Sequence, residues 1–180
     1  SVWVDDEDLD IYKKRGVWAV INAGSNAKLA SGIAPVTKMM EKGIRLAVGT
    51  DGPSSNNALD MFREMFLIAA TQKLNDGDAA AAPATEILKA ATVGSAHCMG
   101  LHDCDIIDMG KTADLIVIDL HRPNMQPINN ILNNLVYSGS KENVKMTMIN
   151  GKILYDNREF LGVDTEEIYR KAQAVIDRIR

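Results

Sequence analysis

One carboxylate in this sequence stands where ligand chemistry is commonly done. Leu46 to Val48 form a short apolar run that continues through Gly49-Thr50 to Asp51, turns at Gly52-Pro53 and reaches Ser54-Ser55-Asn56-Asn57. The pattern predicts a strand, a loop and a helix start, with the Ser/Asn cluster suited to capping that helix. In α/β architectures the C-terminal ends of strands carry the chemistry, so Asp51 sits where a metal ion or reacting group is expected. The plainer alternative is that Asp51-Gly52 is only a turn, because both residue types dominate turns for backbone reasons.

Few other residues compete with it. His97-Cys98 and His102-Asp103-Cys104 place two His and two Cys in eight residues. Neither Cys-x2-Cys nor His-x3-His spacing is present and the cluster straddles a helix end, so the preferred reading is helix-terminal residues, with His97 placed to suit the dipole. His121 beside Arg122-Pro123 reads as an exposed turn residue, and Asp114 and Asp119 as the limits of a strand. The chain has no Gly-x-Gly-x-x-Gly or Gly-x4-Gly-Lys-Ser/Thr phosphate cradle and no Gly-x-Ser-x-Gly elbow. The His-x-Glu…Pro-Cys-x-x-Cys pattern of the zinc nucleobase deaminases is also missing. Asp51 is left as the one plausible ligand.

The elements around it alternate. Residues 5–15 put acids first and bases last before Gly16, the charge order a helix dipole favours, with Leu9 and Tyr12 facing inward. Residues 17–22 are a nearly continuous apolar run, as in a parallel strand covered on both faces. A polar loop over 24–32 holds Ser25-Asn26 and Lys28. Pro35 opens a helix that ends at Gly43, and 44–50 is the next strand. Residues 57–74 predict a helix apolar around most of its circumference, its Met61 and Met65, like Met39 and Met40, filling core. Residues 84–99 predict another helix, closed by Gly100. This order implies a parallel sheet built from βα units. Past Gly110-Lys111 the style changes: 113–119 is a buried strand bounded by acids, 134–138 a short strand, and 144–149 and 152–155 a hairpin joined through Asn150-Gly151. Asp164, with Glu167 three residues on, opens a last helix with Ile168, Ala172, Val175 and Ile179 in one stripe.

Composition sets the bounds. A chain of 180 residues can bury a real core, and 46% hydrophobic with 24% charged residues is ordinary for a soluble globular protein. A net charge of -4 offers no footprint for nucleic acid, and no basic amphipathic face suggests a membrane surface. Two cysteines are too few for a disulfide scaffold, which favours the cytoplasm. Ser1-Val2-Trp3-Val4 reads as the tail of a strand, so the chain is expected to be a piece of a longer protein. Its unsatisfied apolar surface is expected to pair with the missing N-terminal half, with a second copy as a homo-oligomer, or with both.

Four stretches in order carry a resemblance. Residues 49–60, with Gly49-Thr50-Asp51-Gly52-Pro53-Ser54-Ser55-Asn56-Asn57, resemble the last barrel strand and following loop of the metal-dependent amidohydrolases, in the branch of S-adenosylhomocysteine/methylthioadenosine deaminases and related chlorohydrolases. Ser25-Asn26-Ala27-Lys28-Leu29-Ala30-Ser31-Gly32 is similar to that branch's loop after the preceding strand. Residues 110–119 resemble its return into a β-sandwich, and Val136-Tyr137-Ser138 with Asn150-Gly151-Lys152 its closing hairpin.

The resemblance implies an α/β fold: the last two strands of a (β/α)8 TIM-type barrel plus the C-terminal share of a small β-sandwich. It divides the chain into a barrel part (1–110), a sandwich segment (111–163) and a docking helix (164–180). Asp51 matches the family's aspartate that binds the catalytic divalent ion, usually zinc with iron as the alternative, and accepts a proton. The implied function is deamination of a small purine nucleoside-type substrate. A chlorohydrolase or guanine-type deaminase is the rival within the superfamily, and a non-catalytic scaffold the rival outside it. The family's His-x-His pair, third histidine and ring-protonating glutamate do not occur in this chain, so the isolated piece is expected to be inactive. Asn22-Ala23-Gly24 replaces the His or Cys and Pro that relatives often carry before Ser-Asn.

Overall fold

A pair of parallel strands and the helices laid against it are built from the first three-fifths of the chain, as seen in a computed structural model that describes residues 1–179. Helix α1 (Asp6–Arg15) begins with a reciprocal cap: Asp5 accepts from Asp8 N at 2.9 Å and Asp8 accepts from Asp5 N at 3.2 Å. Gly16 ends it in the left-handed region. Strands β1 (Trp18–Ile21) and β2 (Arg45–Val48) pair in parallel, Trp18 beside Arg45 and Ile21 beside Val48. Between them run α2 (Ala23–Lys28) and α3 (Val36–Glu41). Lys38 pairs with Asp6 at 2.8 Å, and Lys42 pairs with Asp10, tying α3 to α1 on the surface.

Leu9, Ala19, Met39, Ile68 and Ala69 are almost fully buried and form the centre of this packing, so Met39 does fill core. The expectation of two covered faces for β1 is corrected, because Val20 is 44% exposed and only alternate residues of the strand are buried. The 24–32 segment is not all loop either: α2 occupies its first half, and its opening residues Ala23 to Ser25 are buried.

Helix α4 (Met61–Asp76) starts later than the Ser/Asn cluster suggested. Ser55 and Asn56 turn back on Gly52, whose carbonyl takes both N–H groups at 3.2 and 2.8 Å, and Asp60 supplies the cap to Phe62 N at 3.0 Å. The helix expected over 84–99 is three pieces: α5 (Ala84–Lys89), a π-helical turn (Ala90–Gly94) and α6 (Ser95–Cys98). The widened turn fits the edge of β2. A side chain on Gly94 would run into the Leu46 carbonyl, and Ser95 Oγ accepts from Val48 N at 3.2 Å while lying 3.1 Å from Val48 O.

The strand expected at 134–138 is corrected to helix α7 (Ile131–Tyr137), capped by Asn130 and packed against α4 and α5. Read from Ile131, the apolar residues Ile131, Leu132, Leu135 and Val136 recur at helical spacing, and Val136 is buried.

Ser1–Lys111 with Leu120–Asn143 make one compact unit; Thr112–Asp119 with the residues from Val144 onward make a second. The second unit is an antiparallel sheet in the order β3 (Leu115–Ile118), β4 (Val144–Ile149), β5 (Lys152–Asp156), β6 (Glu159–Phe160). The hairpin between β4 and β5 turns at Asn150 (φ 49°) and Gly151 (φ 73°), as the Asn-Gly pair predicts. Asp114 ends its own segment by accepting from Asn150 N at 2.6 Å. Helix α8 (Thr165–Ile179) opens on Asp164, which accepts from Glu167 N at 2.9 Å; none of its residues is buried. The chain is thus mixed α/β with two small sheets, and its described strands do not close a barrel.

Candidate active site

Asp51 follows β2 beyond its C-terminal end, as read from the sequence, and it is exposed. Its backbone lies in the left-handed region (φ 60°), which Asp tolerates better than most residues. The carboxylate is fixed from two sides. Ser25 Oγ donates to Oδ2 at 2.7 Å, and the N–H of Gly52 donates to Oδ1 at 2.7 Å. Ser25 lies on α2, just past the C-terminal end of β1, so neighbouring strand tips contribute the acceptor and its donor. The Ser25 hydroxyl first, then Gly52 N–H and the Ser55 hydroxyl, hold the Asp51 carboxyl below its usual range.

A turn and a ligand make different demands on this carboxylate, and Asp51 meets both. Asp51 closes its own loop with one oxygen, as a turn residue does, yet a carboxylate has more lone pairs than the bonds from Ser25 and Gly52 engage. A solvent-facing, ionised carboxylate with spare acceptor capacity suits a divalent cation as one ligand. It cannot hold such an ion alone, and among the described residues no three His, Cys, Asp or Glu side chains gather as a metal site.

The segments carrying Asp51 and Ser25 are joined beneath the surface by a residue the sequence reading missed. Glu64, wholly buried in the first turns of α4, accepts the Gly24 N–H with Oε2 at 2.8 Å and Asn56 Nδ2 with Oε1 at 2.5 Å. Lys28 adds an outer tie, donating to Ser54 O at 2.8 Å and Asn57 Oδ1 at 2.7 Å. One stripe of α4 repeats the device: Gln72, eight residues after Glu64, accepts from Thr37 N at 3.1 Å and donates to Ala34 O at 2.8 Å. The signal was a pair of polar residues, Glu64 and Gln72, flanking Ile68 at i, i+4, i+8 spacing, on the face of α4 that also carries Met65 and Ala69 rather than with the charged Arg63 and Lys73.

The histidines lie apart from this. His97 Nε2 is 2.7 Å from Asp105 Oδ2, Lys111 Nζ is 2.7 Å from Asp105 Oδ1, and the rings of His97 and His102 are 4.7 Å apart. His97 reaches a cavity of about 370 Å³ lined by Trp18 and Arg45, the first residues of β1 and β2, at the opposite strand ends from Asp51. His121 is exposed.

Paired parallel strands with an ordered carboxylate past their C-terminal ends make a βα-built unit, and comparison with known proteins gives it a family. Residues 1–154 match the model of the amidohydrolase family, and the chain belongs to that family. Among its relatives, the 5-methylthioadenosine/S-adenosylhomocysteine deaminase of Dictyoglomus thermophilum is 42% identical over 96% of this chain and 40% of its own length. The 5'-deoxyadenosine deaminase of Methanosarcina acetivorans is 40% identical over 99% of this chain and 41% of its own. An adenosine deaminase from Xanthomonas campestris with bound zinc superposes with a TM-score of 0.95 at 37% identity, over 99% of this chain and 41% of that one. The chain therefore spans about two-fifths of the length of these relatives.

Proposed function

We propose that this chain is the C-terminal part of a metal-dependent aminohydrolase acting on a purine nucleoside of the methylthioadenosine or S-adenosylhomocysteine kind. The carrying observation is the exposed Asp51 carboxylate at the end of β2, fixed by Ser25 and Gly52, in a chain of the amidohydrolase family. The relatives named as deaminases of such nucleosides, and the one with bound zinc, support the substrate class and the metal. In this reading residues 1–110 supply the last two strands of a (β/α)8 barrel, 111–163 a share of a β-sandwich and 164–180 a docking helix. The partners are the N-terminal half of the same protein and a second copy, in the cytoplasm.

When bound, a divalent ion supplies Lewis acidity that brings the pKa of water to about 7. Asp51 contributes one anionic oxygen ligand. Because its hydrogen bonds keep it ionised, it stays available to the cation, and a lone pair not engaged by Ser25 or Gly52 can take up a proton as water adds to the amino-bearing ring carbon and ammonia leaves. Ser25 and Gly52 keep the group from rotating away. In the full-length protein, Asp51→Ala is expected to lower zinc content and to reduce ammonia release from methylthioadenosine by at least about a hundredfold. Wild-type zinc content and turnover in that variant would remove the reading.

A further inference from the structure

The candidate ligand does not hold its own position. Asp51 is exposed, in left-handed backbone, and the donors that orient it come from two separate segments: Ser25 at the start of α2 and Gly52 in the turn that closes at Asn56. Both segments end on one buried group. Glu64 takes the N–H of Gly24, the residue before Ser25, and the amide of Asn56, which is itself almost fully buried. A carboxylate removed from water is costly unless its oxygens are met, and bonds to an ionised acceptor are short and directional. There is no slack around it. A Cβ on Gly24 would collide with Glu64 Oε1 and lie 2.8 Å from Asn56 Nδ2.

We propose that Glu64 is a positioning residue for the active site: its buried carboxylate clamps the start of α2 to the 52–56 turn, so that Ser25 and Gly52 present the Asp51 carboxylate in one orientation. The proposal rests on the reading of Asp51 as a metal ligand. A merely structural Glu64 makes a different prediction, since its loss would lower stability and leave the metal's surroundings as they were. Supporting residues of this sort change metal affinity and ligand geometry when removed.

The test uses the full-length protein and four variants: Glu64→Ala, Glu64→Gln, Asn56→Ala and Asp51→Ala. Each is measured for zinc affinity by chelator competition, for the visible spectrum of its cobalt(II) form and for Tm. Met39→Ala, a core truncation away from the clamp, controls for stability loss alone. Glu64→Ala is expected to lose about 10- to 100-fold in zinc affinity and to shift the cobalt bands, beyond anything seen in Met39→Ala at matched Tm. Glu64→Gln is expected to restore the wild-type spectrum, because its carbonyl can accept from Gly24 and its amide can donate to Asn56 once the Asn56 amide turns over. Should Glu64→Ala fail to fold, Asn56→Ala, which removes one arm only, carries the test with a smaller loss in the same direction. Wild-type zinc affinity and cobalt bands in the folded clamp variants, with zinc lost in Asp51→Ala, would overturn the proposal and leave Asp51 as ligand. Zinc retained in Asp51→Ala would take away the underlying reading, and this proposal with it.

Discussion

Asp51 shows how much of a carboxylate's state and direction is decided by its donors. An exposed Asp after a strand is an ordinary turn residue until something restrains it, and here the restraint is a serine hydroxyl from the neighbouring strand tip, 2.7 Å away. That bond and the Gly52 N–H favour the ionised form and fix its direction. Ser25→Ala is accordingly expected to raise the Asp51 pKa toward the ordinary carboxylate value and to weaken zinc binding by the full-length protein about tenfold. Chelator competition measures this, and an unchanged affinity would mean that Gly52 alone suffices. The Ser-Asn-Ala-Lys stretch was legible as a motif, but nothing in a one-dimensional string says that Ser25 reaches Asp51 or that Lys28 reaches Ser54 and Asn57.

Among the elements, caps and breaks were the most readable features and their bounds the least. The Gly16 stop, the Asp164/Glu167 cap and the Asn150-Gly151 turn depend on a few adjacent residues, so local chemistry was enough to place them. Helix α4 was misplaced at its start because two capping clusters compete there, and the Ser/Asn one is used for turns. Asp60→Ala is expected to destabilise the fold by about 1 kcal/mol through the lost cap, read from denaturant melts, whereas Ser54→Ala should leave stability within about 0.5 kcal/mol of wild type. Asp105 joins α6 to the following segment in a pH-dependent way. The Lys111 ammonium beside it, with His97, holds its carboxyl well below the usual range. Folding therefore favours the ionised form: the stabilisation is complete above ~4, where the unfolded carboxyl is also ionised, and fades as the pH falls through the lower folded value. Asp105→Asn should lower Tm at neutral pH, with the gap to wild type narrowing below about pH 4.

For the whole molecule, the telling feature is apolar surface that this chain leaves open. Val20 on β1 is 44% exposed, and Ile168, Val175 and Ile176 on α8 are about half exposed. Exposed apolar faces of this kind mark contacts with other protein, so the purified chain is expected to self-associate, or to form a stable complex with its separately made N-terminal part, in light-scattering chromatography. A monodisperse monomer at high concentration, indifferent to that part, would contradict the expectation. No described helix is long and apolar enough to cross a membrane.

Residue order by itself determined the βα alternation, the hairpin, the Gly16 stop, the Asp164 cap and the place of Asp51 just past a strand, because each is written in neighbours a few positions apart. The tertiary structure alone decided that 131–137 is a helix, that the 84–99 helix widens to meet the edge of β2, and that Glu64 lies beneath the site. Those outcomes depend on contacts between segments about forty or more residues apart in the chain, where the space available and the need to satisfy every buried polar group override local preference.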